Sequence, residues 1–129
     1  KRIVSPDLQM AGKTGTAQVR RITAEERLTG VIRNEDLPWE KRDHALFVDY
    51  APYDNPKVAV AVIVEHGGGG SATAAPIARD ITLFALTGQM PELSHYPAGA
   101  KAQIKEEQEE LAPKLFDWST LERKGQVQT

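Results

Sequence analysis

The chain has no cysteine among its 129 residues. This excludes a disulfide framework, a thiolate nucleophile and a cysteine-ligated zinc site, while leaving the compartment open, because many proteins of oxidising compartments also lack cysteine. Aromatic side chains make up only 6% of the sequence, so a core has to be built mainly from Val, Ala, Leu and Ile. Positive charge is not in excess: 16 Lys and Arg stand against 18 Asp and Glu, a formal charge of −2. That balance excludes the strongly basic surface of a non-specific nucleic-acid binder, and no nucleic-acid partner is expected. The longest apolar run, Val58 to Val64, is far short of the roughly 20 residues of a membrane-spanning helix, and no secretory-signal pattern is present. The sequence opens Lys1-Arg2-Ile3 without an initiator Met, as expected of a processed product or a piece of a longer chain.

What is present reads in blocks, without internal repeats, at the length of one ordinary domain. Ala11 to Val19, AGKTGTAQV, turns from Gly-containing to Thr/Val-containing and predicts the opening of a strand. Arg20 to Asp43 is charged, weakly periodic and interrupted by Gly30 and Pro38, a long surface excursion. Ala45 to Tyr50 and Val58 to Val64, separated by Pro52, Asp54, Asn55 and Pro56, predict a β-hairpin. The second run is unbroken Val/Ala/Ile, so it is expected to be a central strand buried on both faces. After Gly67 to Gly70, a helix is predicted with Ala74, Ile77, Ala78, Ile81, Phe84 and Ala85 on its buried stripe. Ser71 or Thr73 is its expected cap, Pro76 suits its first turn and Gly88 its end. Beyond Gly88 the order weakens. Lys101 to Leu111 is a charged tract that can form a helix, and Leu115, Phe116 and Trp118 either dock or stay solvated.

Several motifs bear on chemistry. AGKTGT ends like a phosphate-binding GKT loop, but that motif needs a Gly at position 7, where Asp7 stands. The alternative is the K-T-G element of penicillin-recognising acyl transferases. On a strand, Thr14 and Thr16 share one face and Lys13 and Gly15 the other. Thr14, Thr16 and Lys13 can then hold a substrate carboxylate, Gly15 permits close approach, and the Thr16 N–H on an open edge can serve an oxyanion. A solvated edge strand with an incidental lysine explains the same spacing. His44, His66 and His95 share no ligand-like spacing, so no metal site is expected. Asp43-His44 could serve as a base pair for serine chemistry, but at a strand start it reads first as a structural hydrogen bond, and His66-Gly67-Gly68-Gly69-Gly70 reads as a turn rather than an anion site.

KTGTAQV, RDHALFVDYAPYDNPKVAVAVIVEHGGGG and the following Ala-rich helix, in that order, closely resemble the C-terminal part of the transpeptidase domain in the penicillin-binding protein 2 family. These are the class B D,D-transpeptidases of bacterial cell elongation. The resemblance covers approximately Lys1 to Leu86 and implies an α+β, β-lactamase-like fold: antiparallel strands with a packed C-terminal helix. It implies an incomplete transpeptidase unit over 1–88; the tail over 89–129 carries none of the resemblance and is expected from its charge to be mobile. The resemblance also implies that Lys13, Thr14, Gly15 and Thr16 are the third catalytic element. Lys13 would organise proton transfer, Thr14 and Thr16 would bind the carboxylate of a stem peptide or β-lactam, and the Thr16 N–H would be half of the oxyanion hole. No cofactor is implied. Implied partners are the remaining N-terminal part of the transpeptidase domain, in the same protein or a second chain, peptidoglycan stem peptides, β-lactams and a membrane glycan polymerase. The implied location is the periplasmic side of the inner membrane.

The sequence departs from the family pattern in its serines. Ser5, Ser71, Ser94 and Ser119 have neither Lys three residues on nor Asn two residues on, so the S-x-x-K nucleophile and the S-x-N element are both missing. The chain by itself is therefore expected to be inactive, and poorly stable or self-associating, with apolar surface and strand edges uncovered. A non-catalytic penicillin-recognising sensor on the same scaffold is the alternative function. An interaction module working through its tail is a third.

Overall fold

The computed structural model describes residues 1–115. The positions of Phe116, Trp118 and Ser119 lie outside them. Contacts divide the chain into two units, Lys1–Pro97 and Ala98–Thr129.

The first unit is an antiparallel sheet of three strands, β1 (Ala11–Ala17), β2 (His44–Ala51) and β3 (Val58–Val64), in the order β1-β2-β3. The α+β class and the hairpin follow the sequence reading. At the hairpin turn the Asn55 N–H donates to the Pro52 carbonyl at 3.3 Å and the Lys57 N–H to the Ala51 carbonyl at 2.9 Å. One face of the sheet packs under helix α2 (Ala75–Thr87), which a π-helical turn, Gly70–Ala74, leads into. Between them lies a small core of Ala45, Phe47, Ala74, Ala75 and Ala78, with Met10, Val60, Val62 and Val64 packed against it.

Two expectations are corrected. Among the described strands β2 is central and β3 lies at an edge, and burial alternates along β3 instead of being uniform. Its residues point alternately to the two faces, and α2 covers one of them, so Ile63 is 68% exposed. An unbroken apolar run records that both faces are apolar, not that both are covered. The helix is also rotated from its expected stripe. Ala74 and Ala78 are buried as expected, but so are Ala75, Arg79, Thr82 and Leu83, while Ile77, Ile81 and Phe84 are exposed. Small side chains let the helix come close to the sheet, which the bulkier stripe would hold off. The closeness shows at Gly70, where a Cβ would meet the Leu46 carbonyl oxygen and come within 2.6 Å of that of Gly15.

The helix ends behave more simply. Neither Ser71 nor Thr73 caps α2, because the π-helical turn runs directly into it. Thr73 instead donates its hydroxyl to the Gly67 carbonyl at 2.7 Å. Pro76 sits in the first turn, and Gly88, at φ 71°, returns its N–H to the Phe84 carbonyl at 2.8 Å.

The excursion between β1 and β2 buries none of residues 20–42 but carries local order. It contains a short helix α1 (Ala24–Thr29) opened by a capping box between Thr23 and Glu26. Arg20 grips the same Glu26 carboxylate with both guanidinium arms, at 2.7 and 2.9 Å. These donors, above all Arg20 and the Thr23 N–H, hold the Glu26 carboxyl at about 2.

The first unit runs on to Pro97. Tyr96 is the anchor: it is 1% exposed, lies under the Arg79 guanidinium at 4.7 Å, and donates its hydroxyl to Asp80 at 3.0 Å. The Val4 N–H also donates to the His95 carbonyl at 2.9 Å. In the second unit the charged tract is helical, α3 (Lys101–Leu111), with Lys105–Glu109 and Glu110–Lys114 ion pairs at 3.8 and 2.8 Å.

Candidate active site

The K-T-G residues lie on β1, which pairs with β2 along one side and has no strand on its other side among the described residues. Opposite them on β2 stand Val48 for Lys13, Phe47 for Thr14, Leu46 for Gly15 and Ala45 for Thr16. Thr14 and Thr16 therefore share the α2 face with buried Phe47 and Ala45, and Lys13 and Gly15 share the opposite face. Strand alternation also sends the N–H and C=O groups of Thr14 and Thr16 to the same side. The Lys13 ammonium donates to the Thr14 carbonyl at 2.9 Å, which marks that side as the open edge.

The four residues are consecutive, but they face different hollows. Thr16 lines a cavity of about 610 Å³ walled by the excursion, among others by Arg20, Ile22, Ile32, Asn34 and Asp43. Thr14 lines one of about 430 Å³ with Met10, Gly12, Phe47 and Ser71. Lys13 borders a third, also about 430 Å³, on the other face with Val48, Tyr50 and Ala59. The strand thus offers a cation, two hydroxyls and backbone donors along one exposed edge, without enclosing them in a single pocket. Close approach is required at Gly70, whose added Cβ would come within 2.6 Å of the Gly15 carbonyl oxygen, whereas a Cβ on Gly15 itself would meet the Leu46 Cβ at 3.3 Å.

Asp43 and His44 are structural, as their place at a strand start suggests. Asp43 accepts from the Val19 N–H at 3.1 Å and from Asn34 Nδ2 at 3.2 Å. Its own N–H donates to Asn34 Oδ1 at 2.8 Å, and its carbonyl accepts from the Gly68 N–H at 2.9 Å. His44 Nδ1 accepts from the His66 N–H at 2.8 Å, and the His66 ring stacks against those of His44 and Trp39 at 4.6 and 4.5 Å. The Gly-rich segment is accordingly a turn, with His66 at φ 53° and Gly68 at φ 79°. Among the described residues no group of three or more His, Cys, Asp or Glu side chains is placed to hold a metal ion.

Two features were not legible in the sequence. Asn34 is nine residues from Asp43, inside an irregular segment with no periodicity to pair them. Asp49, read as part of an apolar strand, is buried beneath α2, where Thr82 Oγ1 donates to its Oδ1 at 2.7 Å. Its Oδ2 has no hydrogen-bond partner among the described residues, and burial pushes its carboxyl above the usual range against the opposing Thr82 bond.

Residues 1–83 match the model of the penicillin binding protein transpeptidase domain. The chain is similar to peptidoglycan D,D-transpeptidase MrdA of Haemophilus influenzae, 39% identical over 86% of this chain and 17% of that protein. It is also similar to peptidoglycan D,D-transpeptidase PbpA of Mycobacterium tuberculosis, 38% identical over 65% of this chain and 15% of that protein. A solved complex between penicillin-binding protein (PBP2) and MreC from Helicobacter pylori aligns at a TM-score of 0.43 and 29% identity, over 64% of this chain and 13% of that one. The chain therefore spans less than a fifth of the length of these curated relatives. With the family model matching well over half of its residues, the chain belongs to the penicillin binding protein transpeptidase domain family.

Proposed function

We propose that the chain forms one side of the active site of a peptidoglycan D,D-transpeptidase, the activity named for its relatives. The observation that carries this reading is the K-T-G element on an exposed edge strand inside the span matched by the family model. A serine from an S-x-x-K element outside this chain attacks a peptide carbonyl of the donor stem peptide, forming an ester as the C–N bond breaks and the C-terminal residue leaves with the serine proton; an acceptor amine then takes the acyl group and the serine hydroxyl is restored. A β-lactam enters the same step and leaves the serine acylated.

In this reading Lys13 supplies a fixed cation that favours proton transfer and the carboxylate of the bound peptide. The Thr14 and Thr16 hydroxyls hold that carboxylate. The Thr16 N–H, on the open edge, donates to the oxyanion of the tetrahedral intermediate. The rest of the transpeptidase domain, in the same polypeptide or a second chain, brings the nucleophile and covers the outer face of the sheet. The reaction belongs at the periplasmic side of the inner membrane, beside a glycan polymerase that makes the strands to be cross-linked.

Labelling with a fluorescent penicillin tests the reading. The chain alone should stay unlabelled, and the chain joined to its upstream transpeptidase segment should be acylated. In the joined protein Lys13→Ala should slow acylation by about a hundredfold or more, and Thr16→Val by less. Unchanged rates in both variants would sink the site assignment, and labelling of the chain alone would refute the missing nucleophile.

A further inference from the structure

Resting on the reading of Thr16 given above, we infer that Asp43 is a positioning residue for acylation. Through Val19, Asn34 and Gly68 it fixes the end of the strand that presents the Thr16 N–H. The β1–β2 ladder closes at the pair Ala17–His44, one step beyond Thr16–Ala45. Asp43 stands just outside that last pair, and its carboxylate takes the Val19 N–H in place of a further backbone rung. Without such a bond a strand end frays, because its remaining donors are already exposed to water.

The same residue ties the strand end to its surroundings. The Asn34 side chain donates to one Asp43 oxygen and accepts from the Asp43 N–H, so the wall of the Thr16 cavity is fastened through both ends of one amide. The Asp43 carbonyl holds Gly68 in the turn that leads to Gly70, whose backbone lies on that of Gly15. The Gly15–Thr16 backbone is therefore bounded by Gly70 on its face and by Asp43 at its exit. A donor to an oxyanion has to be held within about 0.5 Å of its working position, and a displacement of about 1 Å can cost a hundredfold in rate. Asp43 acts through the position of the strand end, and its larger effect falls on the acylation step, which depends more steeply on that position than carboxylate binding does.

The chemistry of the pair supplies its own control. Asp43→Asn alone sets its NH₂ group against one of two donors, Asn34 Nδ2 or the Val19 N–H, and Asn34→Asp alone brings two carboxylate oxygens together. The double variant Asn34→Asp/Asp43→Asn restores every hydrogen bond, with donor and acceptor exchanged in the side-chain pair and both backbone N–H groups still donating. In the protein joined to its upstream segment, each single variant should slow penicillin acylation about tenfold, with the affinity of the preceding non-covalent complex changed by less than about threefold. The double variant should recover to within about threefold. Asp43→Asn acylating like wild type while Lys13→Ala is impaired would overturn the inference. So would a loss confined to non-covalent affinity, or one that the double variant does not restore. Hydrogen exchange at the Val19 amide is the second readout and should quicken in each single variant and slow again in the double. If the wild-type protein is never acylated, the reading of the site falls, and unchanged Val19 exchange in Asp43→Asn overturns the clamp separately.

Discussion

The two faces of the sheet are built from comparably apolar residues and meet different surroundings. On the face under α2, Ala45, Phe47 and Ala51 are buried, and even a carboxyl, Asp49, is accommodated there. On the opposite face Val48 is 52%, Tyr50 44% and Ile63 68% exposed. The same strands thus hold a closed interface on one side and an apolar surface without a cover among the described residues on the other. Helix α2 repeats the contrast, with Ala78 and Leu83 buried and Ile77, Ile81 and Phe84 turned outward. Apolar area left in water forgoes the roughly 25 cal/mol per Å² that burial yields, so such faces call for a partner surface. The difference teaches that this unit is finished on the side that shapes the α2 face of β1 and unfinished on the side where Lys13 lies.

Substitution across the two faces should break the comparison most sharply. Phe47→Ala removes a core side chain and should cost about 3–5 kcal/mol, whereas Val48→Ala, the next residue on the open face, should cost less than about 1 kcal/mol. Urea unfolding of the two variants measures the gap, and equal losses would mean that both faces are covered in solution. A smaller effect is expected from Val48→Lys with Ile63→Lys. The pair should reduce self-association of the chain at nearly unchanged stability, read by sedimentation, and should impair assembly once the upstream segment is present.

The smallest effects are in pH. Asp49 is held above the ordinary carboxyl range by burial, so the unfolded chain ionises first and its penalty grows as pH rises from that range to the folded value. Glu26, on the solvated excursion, behaves oppositely: its folded value of about 2 lies below the ordinary 4.5, so its contribution is complete above 4.5 and is lost as pH falls toward 2. Asp49→Asn should flatten the first dependence and Glu26→Gln the second, in unfolding midpoints followed against pH. An unaltered profile in Asp49→Asn would show that the carboxyl is hydrated in solution.

Local chemistry made much of the fold readable. Strand β1, the hairpin, the turn at Gly67–Gly70, and the Pro76 and Gly88 ends of α2 each follow from residues within a few positions of one another. The K-T-G strand was legible for the same reason: its four residues are adjacent, and period-two alternation alone assigns their faces. The orientation of α2 was not legible, because Ala75, Ala78 and Leu83 make as good a helical stripe as Ala74, Ile77 and Ile81. Choosing between them depends on how closely Gly70 can approach the sheet. The Asn34–Asp43 clamp and the Asp49–Thr82 bond were equally hidden, since each joins side chains that no short-range pattern relates.

The sequence by itself determined the three strands, the hairpin, the helix that follows it and the strand that carries the cation and hydroxyls, since these depend on neighbours along the chain. Only the tertiary structure decided which apolar face is closed and what holds the Thr16 end of β1. The physical reason is that burial and hydrogen-bond satisfaction are properties of surfaces brought together in space. Two stripes of similar hydrophobicity are equivalent until backbone approach, at Gly70 and Gly15, admits one and excludes the other.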